Sequence, residues 1–388
     1  MTMDTPVYYP FLNWQDGMKV NSQHFTDLEN ALISINQQLF RSTVGHCRYG
    51  LLYEPGKAPG LKMTITPVAG NAYCILLNDC YAVTPGGAYI RIPIQVREES
   101  LRPLLEYTIE LPAKGNQQYL FLQVHSYQRL PAGHTNTDVL PFKTYYTVEE
   151  MQLTLTPQLH DEAGISTWWQ LPLARLIHQQ GYWIPDPTYI PPCMNLGAHT
   201  QLLEMAISTH AQLGYIHTYC KLIIQKVYAR QQSQELATAL LYIAEHLSAM
   251  LLHQTCWHGG VLPYIHPYDW YCYLYKIAAC WCTALEQRAG HMKEELMLYL
   301  SEWGDFSPGE MDQIFAAALI AVYKHQDMMA ALQPLYVFVD LLHRVTHAIS
   351  QLDFIGKRPD TNIFVKEEKA VNPVYQKQTK KSRWSFSE

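Results

Sequence analysis

The stretch IPDPTYIPP, residues 184–192, separates two parts of the chain that differ in hydrophobic periodicity. On its N-terminal side, short apolar runs are interrupted about every ten residues by turn-forming residues, which is typical of β-strands. On its C-terminal side no proline occurs until Pro263, and apolar residues recur at steps of three and four, which indicates α-helices. The proline-rich stretch therefore predicts the boundary between a β domain and a helical domain.

The N-terminal part has the punctuation of an antiparallel β structure. The apolar runs 72–77 and 81–84 are followed by Asn78-Asp79 and by Pro85-Gly86-Gly87, both of which predict turns. Residues 151–156 alternate strictly between apolar and polar side chains, as in a strand with one buried face. Because no helical pattern separates these strands, we predict an antiparallel β-sandwich. One helix, over residues 22–40, is predicted to precede it.

A heptad seam marks the first helix of the C-terminal part. From Leu202 onward, apolar residues alternate steps of four and three without a slip, and a second helix with similar spacing follows. The spacing fits an antiparallel pair within one chain, and it also fits a seam shared between chains. Isoleucines one heptad apart favour a seam of more than two helices. The candidate trimer seam comprises Leu213, Ile216, Cys220, Ile223 and Val227.

More helices are predicted further along the chain, over 268–288, 292–303 and 333–354, with another opened by the capping box Ser307-Pro-Gly-Glu310. The fold class is therefore α+β and multidomain, an N-terminal antiparallel β-sandwich domain followed by an α-helical bundle domain. The predicted parts are 1–45 (N-terminal segment and helix), 46–192 (β-sandwich), 193–290 (helical bundle), 291–355 (additional helices) and 356–388 (a basic tail).

Composition excludes several classes of function. The 388 residues are 48% hydrophobic and carry 28 basic against 34 acidic side chains, so no basic field attracts nucleic acid. The start of the chain lacks the pattern of a secretory signal, and no apolar run is long enough to insert into a membrane. Nine cysteines without a C-x-x-C pair fit a reducing compartment. We expect a cytoplasmic protein.

Motifs for catalysis are missing from the sequence. It contains no glycine-rich phosphate loop, no G-x-S-x-G motif and no cysteine in an activating context, so no catalytic or cofactor-binding residue is predicted. The His/Cys-rich region 253–282 lacks the tight ligand pairs of a zinc site. His343 and His347 are one helical turn apart, but Arg344 stands where a metalloprotease has its glutamate. No metal site is predicted, and the chain looks more like a component of an assembly than an enzyme.

Several short motifs, in the same order along the chain, resemble those of the TssK family, the baseplate subunits of type VI secretion systems. Together they cover roughly residues 10–285, with one small difference at Ser22, where the family has a proline. The motifs are WQDGM at 14–18 with QHF at 23–25, VTPGG at 83–87, LPLARLI at 171–177, YIPPC at 189–193 and HPYD at 266–269.

The resemblance implies a structural homotrimer, located at the inner face of the envelope once assembled. In the family, the N-terminal β domains bind the wedge subunits TssF and TssG, and the helical domains bundle around the three-fold axis. A C-terminal domain docks onto the membrane complex. The residues that would contact the wedge here are Trp14, Gly17, Met18, Gln23, His24 and Phe25.

The C-terminal part departs from the family pattern. After residue 290 the sequence continues as helices and ends in a basic tail, similar to a shortened form such as the Bacteroidetes type. The tail is either a solvated terminus or a segment that orders on an acidic partner. Its candidate docking residues are Lys380, Lys381, Arg383 and Trp384. The helices and the tail would then replace the family's docking domain toward the membrane complex.

Two other functions fit parts of the same pattern. A phage-tail-like receptor-binding or adaptor protein would also combine a β domain with a helical trimer. A helical metal-dependent enzyme would use the His/Cys region 253–282 as its metal site. The first alternative shares the physical features of the baseplate adaptor, while the second makes a different prediction about metal content.

Overall fold

A computed structural model describes most of the chain. The described residues are 8–44, 47–57, 60–70, 72–96, 99–101, 106–110, 116–136, 143–159, 168–252, 257, 260–287, 291–304 and 306–356. Antiparallel sheets occupy the N-terminal part and helices the C-terminal part, as the change of periodicity predicts. The predicted tail residues Lys380, Lys381, Arg383 and Trp384 lie outside the described residues.

The N-terminal part begins with helix α1 (Ser22–Val44), which confirms the predicted first helix. Eleven strands are described after it. They are β1 (Gly50–Leu51), β2 (Leu61–Ala69), β3 (Ala72–Val83), β4 (Tyr89–Ile92), β5 (Ile94–Val96), β6 (Glu99–Leu101), β7 (Glu106–Glu110), β8 (Gln117–Asn136), β9 (Lys143–Thr156), β10 (Gln170–Gln179) and β11 (Tyr182–Pro185).

The β part contains two larger antiparallel sheets and a two-stranded sheet of β5 and β6. In one of the larger sheets, the long strand β3 pairs with β1, β2, β4 and β7; in the other, the order is β11-β10-β8-β9. The backbone N–H of Trp183 donates a hydrogen bond to the Tyr73 hydroxyl, which links the two sheets. Ile75 of the first sheet and Leu122 of the second belong to the same buried cluster. The two sheets therefore share one hydrophobic core.

The turn predicted at Asn78-Asp79 is wrong, because β3 runs through it without interruption. Lys62 pairs with Asp79 and Met63 pairs with Leu77, so Asn78 is an extra residue in the ladder. Asparagine and glycine signals mark β-bulges as well as turns, since both need locally irregular backbone. The Pro85-Gly86-Gly87 turn is confirmed, with Gly87 at φ +88°.

The C-terminal part contains six described α-helices. Capping by Ser307 and Glu310 is present as predicted. The last helix begins five residues before the predicted start and contains Pro334 within it. The helices are α2 (Thr200–Ala229), α3 (Glu235–Leu251), α4 (Pro267–Glu286), α5 (His291–Gly304), α6 (Pro308–Ile320) and α7 (Met328–Gln351). None of the described helices is long and apolar enough to cross a membrane.

The heptad seam of α2 lies inside this chain. All five residues of the candidate trimer seam are buried, none more than 3% exposed, on a helix that contacts α3 and α7. This corrects the prediction that they form contacts between chains, because other helices of the same chain already cover them. The heptad spacing alone was compatible with packing inside one chain and with packing between chains. The residues are Leu213, Ile216, Cys220, Ile223 and Val227.

The β part and the helical part meet around the proline-rich stretch. Leu51 N–H donates to the Pro192 carbonyl oxygen at 2.7 Å, and Met194 N–H donates to the Leu51 carbonyl at 2.8 Å. The buried His325 ring lies edge-on to Tyr49, and its Nε2 is 2.7 Å from the Tyr49 carbonyl oxygen. These contacts join the two parts through both backbone and side chains.

Candidate protein-docking site

An extended N-terminal arm, residues 8–21, precedes α1 and is held at only a few points. Tyr9 stacks on Tyr127 with ring centroids 4.6 Å apart, and the Trp14 ring is edge-on to His24. Gly17 has φ +79° in a turn closed by a hydrogen bond from Met18 N–H to the Gln15 carbonyl oxygen. A non-glycine residue would be strained at this φ, so Gly17 sets the direction of the arm.

The start of α1 is capped by its own residues. Asn21 Oδ1 accepts a hydrogen bond from His24 N–H, and His24 Nδ1 accepts one from Asn21 N–H, both at 3.2 Å. Gln23 Nε2 donates to Asp27 Oδ1 one turn further along. This reciprocal pair satisfies backbone donors that a helix start leaves unpaired. The side chains of His24 and Gln23 therefore form hydrogen bonds within the first turns of α1.

The face that α1 turns toward the sheets is polar and small. Its buried residues are Asn30, Ala31, Ser34 and Gln37. Gln37 donates to Ser126 Oγ and accepts from the Tyr127 hydroxyl, both at 3.1 Å. Hydrogen bonds of this kind fix the orientation of a helix and contribute about 1 kcal/mol each. Polar contacts thus attach α1 to β8.

Two further contacts anchor the same face. Arg129 of β8 donates to Asn30 Oδ1 and forms an ion pair with Glu29. At the other end of the helix, the guanidinium of Arg41 lies 4.1 Å from the centroid of the Trp168 ring. Near Arg129, burial raises the pKa of Glu149 to about 7, and the positive charge of Arg129 opposes that rise. Burial therefore favours the protonated form of Glu149, which pairs with Arg129 across β8 and β9.

The outward face of α1 carries three large exposed apolar side chains among polar ones such as Glu29 and Asn36. Phe25, Leu32 and Leu39 are 55%, 48% and 55% exposed, and they recur every seven residues. Leu28 and Ile35, both half-buried, fall between them. The steps of three and four form a heptad seam, which is the pattern that packs against another helix. Unlike the seam of α2, this seam lies on the surface of the chain.

The arm carries further exposed apolar side chains, and one of them, Trp14, contacts His24 of α1. Tyr8, Phe11 and Trp14 are all exposed. A surface helix normally turns its apolar stripe toward the core of its own protein. Large exposed apolar patches mark sites of protein–protein contact. We call the surface formed by Tyr8, Phe11, Trp14, Phe25, Leu32 and Leu39 the N-terminal docking face.

Arg175, in the LPLARLI motif, supports the proline-rich stretch. Its Nε donates to Asp186 Oδ2 at 2.7 Å, and its second guanidinium nitrogen donates to Thr188 Oγ1. The guanidinium also lies over the Tyr189 ring. Hydrogen bonds from Thr188 and Arg175 lower the pKa of Asp186, against the effect of its burial. This motif therefore fixes the joint between the two parts of the chain.

His266, in the HPYD motif, lies at the same joint. It caps α4 by accepting the Tyr268 N–H at Nδ1, which confirms the predicted helix start. Its ring stacks on His325 with centroids 5.3 Å apart. Burial and the nearby charge of Arg48 lower the pKa of His266 to about 4. Arg48 is itself paired with Asp269 of α4 through a double hydrogen bond.

The candidate metal ligands are scattered. His253, Cys256 and His258 fall outside the described residues, while Cys272, Cys280 and Cys282 all lie along α4. In the part of the chain that the structure describes, no group of three His, Cys, Asp or Glu side chains is arranged to hold a metal ion. His343 and His347 stack with centroids 6.4 Å apart beside Tyr219.

Sequence comparison identifies the family. The model of the family described as "Bacterial Type VI secretion, VC_A0110, EvfL, ImpJ, VasE" matches residues 143–348, more than half of the chain. The chain belongs to this family. No curated protein sequence matches the chain significantly. The matched region runs from β9 to α7 and so includes both sides of the proline-rich joint.

Solved structures with similar folds agree with this assignment. A crystal structure of TssK has a TM-score of 0.52 at 14% identity, covering 87% of this chain and 69% of that chain. At this identity the likeness shows the fold, and it confirms the predicted resemblance to TssK.

Two larger assemblies also contain similar chains. The baseplate complex from the type VI secretion system has a TM-score of 0.47 at 17% identity, covering 88% of this chain and 99% of that chain. A TssK-TssF-TssG baseplate subcomplex has a TM-score of 0.46 at 16% identity, covering 88% and 100%.

The N-terminal docking face includes two residues that were singled out in the sequence. Trp14 and Phe25 were predicted as partner-binding residues, and both are exposed on that face. Leu32 and Leu39 lie in the predicted helix 22–40 but were not among the predicted partner-binding residues. Their exposure follows from the polar residues on the opposite side of α1, which bond to β8. This exposure could have been predicted from the polar residues at steps of three and four on the other side of the helix, Asn30, Ser34 and Gln37.

Proposed function

We propose that this chain is a structural subunit of a type VI secretion baseplate that works by protein–protein contact and not by catalysis. Membership of the family supports the baseplate role. The observation that carries the mode of action is the N-terminal docking face, where a helix bonds to its own sheet through polar residues and presents an apolar heptad seam outward. A seam of this kind is a typical site of contact with another helix or another protein.

The partners of the docking face are proposed to be TssF- and TssG-like wedge subunits. TssK has been solved in a subcomplex with TssF and TssG. Trp14 and Phe25 would serve as large apolar anchors, Gly17 and Met18 as the turn that aims the arm, and Gln23 and His24 as the cap that holds the helix start. The β part, as a two-sheet sandwich, would carry this face on a rigid base.

The homotrimer is proposed to form through the outer face of α2. Ile207, Tyr215 and Leu222 on that face are 51%, 57% and 37% exposed, whereas the opposite seam is buried within the chain. Tyr215 and Leu222 are one heptad apart. Three copies of α2 could therefore pack around an axis through these residues while α3 and α7 stay on the outside.

The C-terminal helices, residues 291–355, and the tail are proposed to link the baseplate to a membrane complex. In this arrangement the chain lies in the cytoplasm at the inner face of the envelope. The division into a β part (46–192), a helical bundle (193–290) and these additional helices would separate wedge binding, trimer formation and envelope docking along the chain.

Two measurements test the proposal. Light scattering of the purified chain should give about three times its 44.7 kDa mass. Tyr215→Glu should reduce it to the monomer mass. Co-purification with the TssF- and TssG-like subunits should be lost in Leu32→Glu and in Trp14→Ala, with the trimer mass retained. Val68→Glu, at an exposed apolar position of β2, is the matched control and should change neither.

The outcomes separate the parts of the proposal. Retained wedge binding in both Leu32→Glu and Trp14→Ala would refute the docking face while leaving the trimer intact. A trimer that persists in Tyr215→Glu would refute the role of the outer face of α2.

A further inference from the structure

An open groove lies between α6 and α7, in the C-terminal part of the chain. Its volume is about 450 Å³, and its lining is mainly apolar. The apolar residues include Phe306, Ile314, Ala317, Pro334 and Val337, and the one charged residue that lines it is Glu310. The volume is sufficient for two large side chains. The apolar strip extends past the end of α6, where Ile320 and Val322 are 75% and 72% exposed.

Pro334 forms part of the groove wall. It lies inside α7 and lines the groove. Because proline has no N–H, it cannot donate the usual helical hydrogen bond to the carbonyl oxygen one turn earlier.

The charge at the groove is negative. The carboxylate of Glu310 accepts hydrogen bonds from the backbone and side chain of Ser307, which lower its pKa and keep it ionised. Arg344, whose guanidinium lies over the Phe306 ring, is neutralised by its ion pair with Asp340. The groove therefore suits a segment that combines aromatic side chains with basic ones.

We propose that the C-terminal tail of this chain occupies the groove between α6 and α7. The sequence KKSRWSF, residues 380–386, brings Lys380, Lys381 and Arg383 next to two aromatic residues, Trp384 and Phe386. The apolar lining of the groove is suited to the two aromatic rings, and the carboxylate of Glu310 is suited to the basic residues. The 28 residues from Gly356 to Trp384 span up to about 90 Å when extended, so the tail reaches the groove of its own chain or of a neighbouring copy.

The occupied groove would regulate the C-terminal region. A tail that lies in the groove shields both its own aromatic residues and the strip that ends at Ile320 and Val322. A partner that binds either element more tightly would expose the other. The contact requires no other protein, so it can be tested on the isolated chain whether or not the baseplate role holds.

The test uses a labelled peptide of residues 374–388 and the full-length chain. Fluorescence anisotropy measures peptide binding to the wild type and to the double variant Trp384→Ala/Phe386→Ala. Because the wild-type tail competes with the peptide, the double variant should bind at least tenfold more tightly. Adding Val337→Glu to the double variant should weaken binding at least tenfold. Leu298→Glu, at an exposed apolar position of α5, should leave it unchanged.

A second groove variant guards against misfolding. Ala317→Phe fills the groove from α6 and should weaken peptide binding as much as Val337→Glu does. Thermal unfolding checks that both variants fold. Equal binding by the wild type and the double variant would overturn the proposal. So would peptide binding that neither groove variant reduces, or that Leu298→Glu reduces equally.

Discussion

His266 should make the joint between the β part and the helical part sensitive to acid. Its ring is buried, stacks on His325 and lies near Arg48, and its pKa is lowered to about 4. In the unfolded chain the same imidazole has a pKa of 6.5. The folded state therefore favours neutral His266, and the unfolded state takes up the proton first as the pH falls.

The sign and size of the effect follow from this difference. For a histidine with a depressed folded pKa, the stabilising effect is complete above the unfolded pKa of 6.5 and is lost as the pH falls toward 4. The difference corresponds to about 3 kcal/mol of unfolding free energy over the full range. About 1.5 kcal/mol of this is already lost at pH 5.5.

The variant His266→Asn isolates this contribution. Asparagine is a good helix N-cap, so it can still accept the Tyr268 N–H that now bonds to Nδ1 at 3.0 Å. Urea unfolding at pH 7.5, 6.5 and 5.5 should show a steeper loss of stability in the wild type than in the variant, by about 1.5 kcal/mol at pH 5.5. Gly309→Ala, at a position of α6 with open space around it, removes no titratable group and should keep the pH dependence of the wild type. Parallel pH profiles for wild type and His266→Asn would refute the reasoning.

Three further changes probe other contacts, each followed by urea unfolding. Gly87→Ala should cost about 1–2 kcal/mol, because φ is +88° there and a Cβ would come within 3.0 Å of Phe40. Unchanged stability would contradict this close contact. Asp186→Ala should cost about 2–3 kcal/mol by leaving Arg175 without its carboxylate, whereas a loss below 0.5 kcal/mol would mean that the pair is dispensable. Glu149→Gln should stabilise the chain above pH 7, by up to about 3 kcal/mol, because the raised pKa of Glu149 makes its ionised form unfavourable in the folded state. A variant with the same pH dependence as the wild type would exclude this effect.

The order of elements could be predicted from the sequence because local signals agree with the fold. The proline-rich stretch 184–192 coincides with the change from strands to helices. Ser307 with Glu310 and His266 with Pro267 mark helix starts as expected, because capping depends only on neighbouring residues. The interpretation of Asn78-Asp79 failed for a physical reason: the residues that favour turns also favour bulges, and strand pairing decides between the two.

The candidate site was harder to predict, because it depends on which apolar side chains stay exposed in the fold, and the sequence does not show this. Trp14 and Phe25 were found through the motif at the start of the chain. The groove between α6 and α7 had no signal in the sequence, since its lining residues, such as Ile314 and Val337, have the spacing of ordinary core positions. Pro334, which lies inside α7, lines the same groove.

Helices α1 and α2 show why periodicity alone could not assign the interface. Each has an apolar seam at steps of three and four, and this spacing states only that the seam must be covered in the functional state. In α2 the covering helices belong to the same chain, so Leu213 and Ile216 have no exposed surface. In α1 the opposite side carries Asn30 and Gln37, which bond to β8 and hold the helix with its apolar seam outward. The polar side of a helix, and what it bonds to, therefore decides whether an apolar seam belongs to the core or to a partner.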